Sequence, residues 1–286
     1  MIARKPDWLK VKLPGGENYL KLRSIVKERN LHTVCQEAMC PNIAECWGVG
    51  TATFMILGDT CTRGCRFCNV KTGRPNPVDP LEAAKLARSI QELGLQYAVI
   101  TCVDRDDLPD GGARQMAEAI RAIKRRTPQV RVEVLTSDYR GDLAAVRTVV
   151  DAGPDVYAHN IETTRTLTRK VRDRRCGYDQ SLDVLRFVKS ARPDMLTKSS
   201  IMLGLGESDE DVLQAARDLR AIGVDIITFG QYLQPTKKHL PVVEFVTPEK
   251  FAWFARQVKP LGFRQVVSGP LVRSSYHAEQ AFATKI

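Results

Sequence analysis

From residue 51 onwards, short apolar runs alternate with amphipathic helical stretches, and that alternation leaves few folds open. The runs are Thr53–Leu57, Tyr97–Cys102, Val130–Leu135, Asp155–His159, Ser199–Leu205 and Asp225–Phe229. Between them, Ala83, Leu86, Ala87, Ile90 and Leu93 keep the helical period, as do Val212, Ala215, Ala216, Leu219 and Ile222. Asp79-Pro80 and Ser208 or Asp209 suit helix starts, and Gly94 and Gly223 suit helix stops. Strands alternating with helices specify a parallel sheet with right-handed crossovers. Six units fall short of the eight in a closed barrel. The expected fold is therefore α/β, a partial (β/α)6 TIM-like barrel, with Phe263–Val267 as a short last strand. At 286 residues and 43% hydrophobic, the chain can bury one large core or two modest ones.

The first fifty residues do not follow this alternation. Trp8–Leu13 reads as an extended piece, Pro14-Gly15-Gly16 as a turn, and Asn18–Asn30 as a helix with Tyr19, Leu22, Ile25 and Val26 on one face. The expected organisation is a cysteine-rich N-terminal extension over 1–50, the barrel over 51–262 and a short C-terminal segment over 263–286. No apolar run approaches the length that spans a bilayer, and Met1–Asp7 lacks a secretory apolar region. A cytoplasmic protein with no membrane partner is expected.

Eight cysteines are many for that compartment, and six of them lie between residues 35 and 68, which favours metal over disulfides. The apolar run ending at Leu57 stops at Gly58-Asp59, and Cys61, Cys65 and Cys68 follow with three and two residues between them. Three thiolates on one tight loop can hold three irons of a four-iron, four-sulfur cluster and leave the fourth iron for a small chelating molecule. A structural zinc site would need a fourth ligand, and none follows at zinc-finger spacing. Disulfide pairing would need an even local count and an oxidising compartment. Phe67 is placed to pack over a cluster and exclude water.

A second triplet, Cys35, Cys40 and Cys46, has spacers of four and five residues. Buried thiols that pack as small hydrophobes are the plain alternative. Three in twelve positions beside another triplet favour a second cluster with one non-cysteine ligand.

In parallel α/β folds chemistry sits beyond the carboxyl ends of the strands. There this chain carries Asp104–Gly112, His159–Thr163, Gly204–Glu207 and Gly230–Pro235, with Lys198-Ser199-Ser200 at the start of the fifth strand. Together they can line a rim with donors, acceptors and glycines for a polar cofactor. No phosphate-binding GxxxxGK[ST] loop and no GxGxxG after a strand is present, so triphosphatase and Rossmann dehydrogenase readings lack support. Lys and Arg number 43 against 33 Asp and Glu, a net charge of +10. Nucleic acid, an acidic protein or an anionic small molecule would each suit that balance, and charge alone does not decide.

The CxxxCxxC loop after a strand resembles the cluster loop of the radical S-adenosylmethionine (SAM) superfamily. Within it, the chain resembles the lipoyl synthase family from about residue 6 to residue 282. The resemblance rests on both cysteine triplets, Asp104–Gly112, His159–Thr163, Gly230–Thr236 and Ser268–Tyr276. It implies an enzyme that inserts sulfur at C6 and C8 of an octanoyl chain amide-linked to a lysine of a lipoyl carrier domain. Two 4Fe-4S clusters per chain and SAM are the implied cofactors, with two SAM consumed per lipoyl group. The cluster on Cys61, Cys65 and Cys68 would cleave SAM, and the auxiliary cluster on Cys35, Cys40 and Cys46 would be the sulfur source. Its fourth ligand would come from Arg-Ser-Ser-Tyr, assigned to Ser275 in preference to Ser274. An aliphatic C–H bond offers no acidity to a general base, which is why a cofactor must do this chemistry. A serine oxygen also matches iron less well than a thiolate, as a sacrificial corner requires.

For SAM, Asn160 and Glu162 are candidates for the ribose hydroxyls or methionyl end. Lys198 and Arg174 or Arg175, with Arg175 favoured, are candidates for its carboxylate, and Gln231 is a rim candidate. Implied partners are the octanoylated glycine cleavage H protein and 2-oxoacid dehydrogenase E2 subunits, and a reduced flavodoxin or ferredoxin as electron donor; no nucleic acid is expected. The chain departs from the family pattern at Arg174, Ser200, Cys102 and Cys176, and the last two read as unligated thiols.

Overall fold

The computed structural model describes residues 5–11, 13–48, 51–276 and 278. They group into two compact units. The amino-terminal unit comprises the described residues of Val11–Arg63 and Asn69–Tyr157, and the carboxyl-terminal unit those of Met1–Lys10, Gly64–Cys68 and Ala158–Ile286.

In the amino-terminal unit, helix α1 (Glu17–Glu28) buries Leu22, Ile25 and Val26 as its period requires. A two-residue strand β1 (His32–Thr33) leads into the short helices α2 (Val34–Glu37) and α3 (Ile43–Gly48). Strand β2 (Thr53–Ile56) pairs antiparallel with β1 and parallel with the later strand over Tyr97–Cys102. Strands β3 (Thr60–Cys61) and β4 (Lys71–Thr72) form a separate parallel ladder around the cysteine loop. Then come α4 (Glu82–Leu93), β5 (Tyr97–Cys102), α5 (Ala113–Arg126), β6 (Arg131–Leu135), α6 (Leu143–Asp151) and β7 (Val156–Ala158). The strand order is β1-β2-β5-β6-β7. Helix α4 ends on Gly94 in the left-handed conformation, and α6 begins on Asp142, whose carboxylate accepts from Ala144 N and Ala145 N. Leu86, Ile90, Val99, Met116, Ile120 and Val134 are fully buried between helices and sheet.

In the carboxyl-terminal unit, α7 (Thr168–Val171) and α8 (Tyr178–Ala191) precede β8 (Leu196–Leu203). After these come α9 (Asp209–Ala221), β9 (Ile226–Gln231), α10 (Pro248–Val258) and β10 (Gln265–Gly269). Strands β8, β9 and β10 are parallel neighbours in that order, with Lys198 opposite Ile226 and Thr228 opposite Val267. Ile201, Leu203, Val212, Leu219, Phe229 and Phe254 build the core, and the rings of Phe229 and Phe254 stack at 6.0 Å.

Several boundaries differ from the sequence reading, most by one or two residues and three in ways that matter. Strand β8 begins at Leu196, so Lys198 lies inside it. Its early residues are polar yet buried, because Thr197 N and Oγ1 bond Asp225 Oδ2 (2.8 and 3.1 Å) and Thr228 Oγ1 donates to Ser200 Oγ (2.7 Å). Paired polar groups of this kind lose little on burial, and an apolar pattern does not register them. The last strand starts at Gln265 rather than Phe263. Of Trp8–Leu13, expected to be extended, Asp7–Leu9 instead forms a 3₁₀ turn closed by Lys10 N on Asp7 O (3.1 Å), and residue 12 lies outside the described residues. No helix among the described residues is long and apolar enough to cross a membrane.

Candidate active site

Beyond β2 the chain turns through Leu57 and Gly58, both left-handed, at φ +71° and +88°. The buried Glu82 carboxylate holds this turn, accepting from Leu57 N (3.1 and 2.9 Å) and Gly58 N (3.4 Å). Gly112 closes over it: a Cβ there would lie 2.3 Å from Leu57 Cδ1. The second glycine of Asp110-Gly-Gly is thus a requirement of close approach.

The cysteine loop then enters an acidic clamp. Thr62 N and Oγ1 both donate to Asp104 O at 3.0 Å. The buried Arg63 guanidinium donates to both Asp106 oxygens (2.9 and 2.8 Å) and to Asp138 Oδ1 (2.7 Å), with Asp104 at 3.4 Å. Arg105 is similarly bidentate to Asp107 (2.9 and 2.8 Å), holds that carboxyl below its ordinary range, and reaches back to Leu57 O (3.1 Å). Asp104–Gly112, read from sequence as rim groups, therefore fastens the cysteine loop and the turn that launches it. Arg63 was missed. Its signal was an arginine between two cysteines in a chain with an acid-rich loop, which reads as surface charge until the pairing is seen.

In the carboxyl-terminal unit, Gly64 N donates to Asp173 Oδ2 (2.9 Å), Arg66 N to Val171 O (2.9 Å) and Leu240 N to Arg66 O (3.1 Å). Cys68 N donates to Cys65 O (3.1 Å), and His239 Nε2 donates to Cys68 O (2.9 Å) while its Nδ1 accepts from Thr236 Oγ1 (2.9 Å). Phe67, expected to shield a cluster, packs instead against Val171, Leu205, Tyr232 and Leu240, so its ring anchors the loop. Asp173 was also missed. Arg175 Nε pairs with its Oδ1 (2.8 Å), and that ion pair holds the Asp173 carboxyl well below the ordinary range.

The donor set fits an iron–sulfur cluster. None of the eight cysteines forms a disulfide, and Cys61, Cys65 and Cys68 are half-buried. Backbone amides aim at two of the sulfurs, Arg63 N at Cys61 Sγ (3.4 Å) and Asp173 N at Cys65 Sγ (3.3 Å). Amide-to-sulfur bonds favour the thiolate and tune a cluster's potential. Among the described residues no three His, Cys, Asp or Glu side chains converge as a single metal ion would require.

The second triplet folds back on itself within the amino-terminal unit. Thr33 Oγ1 caps α2, accepting from Gln36 N (3.4 Å), and places Cys35 in the helix. Cys40 N donates to Cys35 O (3.0 Å), Cys46 N to Asn42 O (2.9 Å) and Thr51 N to Cys46 O (2.7 Å). Burial pushes the Cys35 thiol up. Ser274 and Ser275 occupy the half-buried turn after β10, where Tyr276 N donates to Arg273 O (3.0 Å).

For a polar organic cofactor the most informative atoms follow β7. Asn160 Nδ2 donates to Glu162 Oε1 (3.2 Å), whereas Asn160 Oδ1 and the neighbouring Thr163 Oγ1 are buried with no hydrogen-bond partner in the protein. Such orphaned atoms suit a ligand. Glu162 sits at φ +66° with its N bonded to Ser200 O (3.1 Å), and burial raises its carboxyl although Arg172 and Asn160 oppose the rise. Arg172 is a buried arginine that the sequence left in a basic run; it donates to Ser181 Oγ (2.9 Å). The other candidates sit differently. Lys198 is buried in the amino half of β8, and Arg175 is engaged by Asp173. Gln231 spends its amide on the fold: Nε2 donates to Leu203 O, Tyr232 O and Glu244 O (3.1, 3.0 and 3.0 Å), and Oε1 accepts from Val246 N (2.8 Å). No donor of Gln231 remains for a cofactor. Cys102, pushed up to about 12 by burial, is a thiol suited to remain protonated.

A model of the radical SAM superfamily matches residues 55–219, and one of the N-terminal domain of lipoyl synthase matches residues 2–40. The chain is 61% identical over 283 residues to the lipoyl synthase of Anaeromyxobacter sp. (strain Fw109-5), covering 99% of this chain and 96% of that protein. It is 59% identical to the lipoyl synthase of Thermus thermophilus, with 97% and 86% covered, and 58% identical to the chloroplastic lipoyl synthase 1 of Populus trichocarpa, with 98% and 76% covered. Among solved structures, methylornithine synthase aligns at TM-score 0.57 and 15% identity, covering 87% of this chain and 81% of that one. The hydrogenase maturase HydG from Carboxydothermus hydrogenoformans aligns at TM-score 0.54 and 15% identity, with 94% and 72% covered. These two likenesses show the fold alone, the partial α/β barrel that the alternation implied.

Proposed function

The chain belongs to the lipoyl synthase family of the radical SAM superfamily, and from that premise we propose which of its residues carry the family's reaction. That reaction inserts two sulfur atoms, at C6 and C8 of a protein-bound N6-octanoyl-lysine, to give the lipoyl group. It uses SAM and two 4Fe-4S clusters. Cys61, Cys65 and Cys68 would hold the first cluster, and Cys35, Cys40 and Cys46 with Ser275 would hold the auxiliary one. Held there, the first cluster would supply the electron for reductive cleavage of SAM, and the auxiliary cluster would supply sulfur.

The chain's own residues bind and orient. The amides of Arg63 and Asp173 donate to the sulfurs of Cys61 and Cys65 and orient them. Arg63 fixes the loop against Asp106 and Asp138, and Gly64 fixes it against Asp173. Asn160 Oδ1, Thr163 Oγ1 and the Glu162 carboxyl bind the cofactor's hydroxyl and amino groups, and the Arg172 charge opposes the rise that burial imposes on Glu162. Lys198 and Arg175 remain candidates for the cofactor's carboxylate. The carriers are lipoyl-bearing domains, which we assign to the glycine cleavage H protein and 2-oxoacid dehydrogenase E2 subunits, and electrons come from a reduced flavodoxin or ferredoxin.

The observation that carries this assignment is two cysteine triplets outside any disulfide, each folded around its own backbone hydrogen bonds. The test is anaerobic incubation of reconstituted protein with SAM, dithionite and an octanoyl-lysyl peptide, read by mass spectrometry. Loss of two hydrogens and gain of two sulfurs, with 5′-deoxyadenosine, is the expected result. Deoxyadenosine beside an untouched peptide would overturn the substrate, and none at all would overturn the radical chemistry.

A further inference from the structure

The outer surface of the loop carrying Cys65 and Cys68 is ringed by exposed cations. Arg66, Arg169, Lys170, Arg174, Lys237 and Lys238 are all exposed, and they come from three segments tied together by backbone hydrogen bonds. Arg66 N bonds Val171 O and Arg66 Nη1 bonds Lys170 O (3.3 Å), joining the loop to α7. Leu240 N on Arg66 O and His239 Nε2 on Cys68 O join it to residues 236–240. Arg169 Nη1 on Arg174 O (3.1 Å) closes the ring.

Some exposed cations elsewhere on this chain are matched by carboxylates, as in Arg165 with Asp179 and Lys250 with Asp209. Here they are not. The three segments 64–68, 169–175 and 236–240 contain one acid, Asp173, and Arg175 already occupies it. Among the described residues none of the six has a carboxylate within ion-pair distance. Six unneutralised charges on one surface repel one another, and they steer and orient an acidic partner.

We propose that this surface docks an acidic electron-carrier protein that reduces the cluster held by Cys65 and Cys68. The inference rests on the cluster assignment made above and adds the place of entry. Position decides between an electron donor and the octanoylated carrier. The carrier must bring an alkyl chain to the bound cofactor, whereas a reductant needs only the shortest route to the iron, and electron tunnelling weakens steeply with distance. Every segment of this ring lies within a hydrogen bond or two of a ligand residue's main chain. Arg66 sits between the two cysteines themselves, and the His239 ring bridges Thr236 to the Cys68 carbonyl. One electron passes from the donor's reduced centre to the oxidised cluster, and the donor leaves oxidised by one.

The experiment uses holoenzyme with both clusters, SAM and octanoyl-lysyl peptide, and compares reduced flavodoxin with dithionite as the electron source. The variant carries Lys170→Glu, Lys237→Glu and Lys238→Glu, all exposed side chains that ligate nothing. With flavodoxin, the concentration for half-maximal 5′-deoxyadenosine formation is expected to rise roughly tenfold or more, and the parent's loss of rate with added salt to disappear. With dithionite, the rate and the peptide KM are expected to match the parent, which also shows that the variant is folded. The corresponding Lys→Gln variant is expected to fall between the two. Unchanged flavodoxin kinetics would overturn the proposal. So would a selective rise in KM for an octanoylated carrier protein, which would give the surface to the substrate's carrier. A parent enzyme that forms no 5′-deoxyadenosine with dithionite would remove the functional reading first and this proposal with it.

Discussion

Replacing Arg63 by methionine separates a structural clamp from a surface ornament. The Arg63 side chain and its Asp138 partner are each 1% exposed and meet at 2.7 Å, with Asp106 bidentate alongside. Methionine fills similar volume but leaves buried carboxylates without their cation. Breaking a buried pair from one side costs about 3–5 kcal/mol. The pair between Arg125 and Glu118 provides the internal comparison: its side chains are 63% and 48% exposed, and exposed pairs contribute about 0–1 kcal/mol. Urea unfolding of cluster-free protein should therefore place Arg63→Met several kcal/mol below the parent and Arg125→Met almost on it. The loop between Cys61 and Cys65 also loses its fastening, so iron after anaerobic reconstitution should fall from about eight per chain toward about four, the auxiliary cluster remaining. If Arg63→Met unfolds within about 1 kcal/mol of the parent and still takes up its full iron, the clamp is not what holds the loop.

Asp155 tests the sign of a pH effect. Burial alone would raise its carboxyl, but Val132 N, Arg131 and Lys124 outweigh that and hold it lowered. Its contribution is present above the unfolded value of 3.8 and is lost as pH falls through the folded value. Asp155→Asn should lower unfolding free energy by about 1–3 kcal/mol at pH 7 and converge on the parent in acid, as read by denaturant titration at both pH values. Gly112→Ala should cost about 2–5 kcal/mol, combining a left-handed backbone with overpacking against Leu57, measured the same way. Asn160→Ala should raise the SAM KM roughly tenfold while costing only about 1 kcal/mol of stability, because the lost acceptor has no partner within the protein and only the Nδ2 bond to Glu162 goes with it. Equal losses of binding and stability would make Asn160 a fold residue.

What the sequence made legible was what local pattern controls. Six apolar runs became β2, β5, β6, β7, β8 and β9, and the spacing of Cys61, Cys65 and Cys68 identified the loop that carries them. The start of β8 was hidden because Thr197 and Ser200 are polar residues satisfied by Asp225 and Thr228, partners about thirty residues away. Arg63 was hidden for the same reason: its acids lie at 104, 106 and 138, and no local rule pairs them. Gln231 erred in the other direction. An amide at a strand end resembles a ligand group, and only the carbonyls of Leu203, Tyr232 and Glu244 reveal that it stitches a loop. Asn160 and Glu162 could be placed at a strand end from sequence, but the orphaned oxygen that singles out Asn160 appears only once the neighbouring chain is in place.

The measurement that bears most directly on this account follows the sulfur. Protein is reconstituted with sulfide enriched in a heavy isotope, freed of excess, and turned over once on octanoyl-lysyl peptide with ordinary sulfide in solution. If the cluster held by Cys35, Cys40, Cys46 and Ser275 is the donor, both sulfurs in the product are heavy and the Cys40→Ala variant makes 5′-deoxyadenosine without product. Light sulfur in the product, or an unimpaired Cys40→Ala variant, would contradict it.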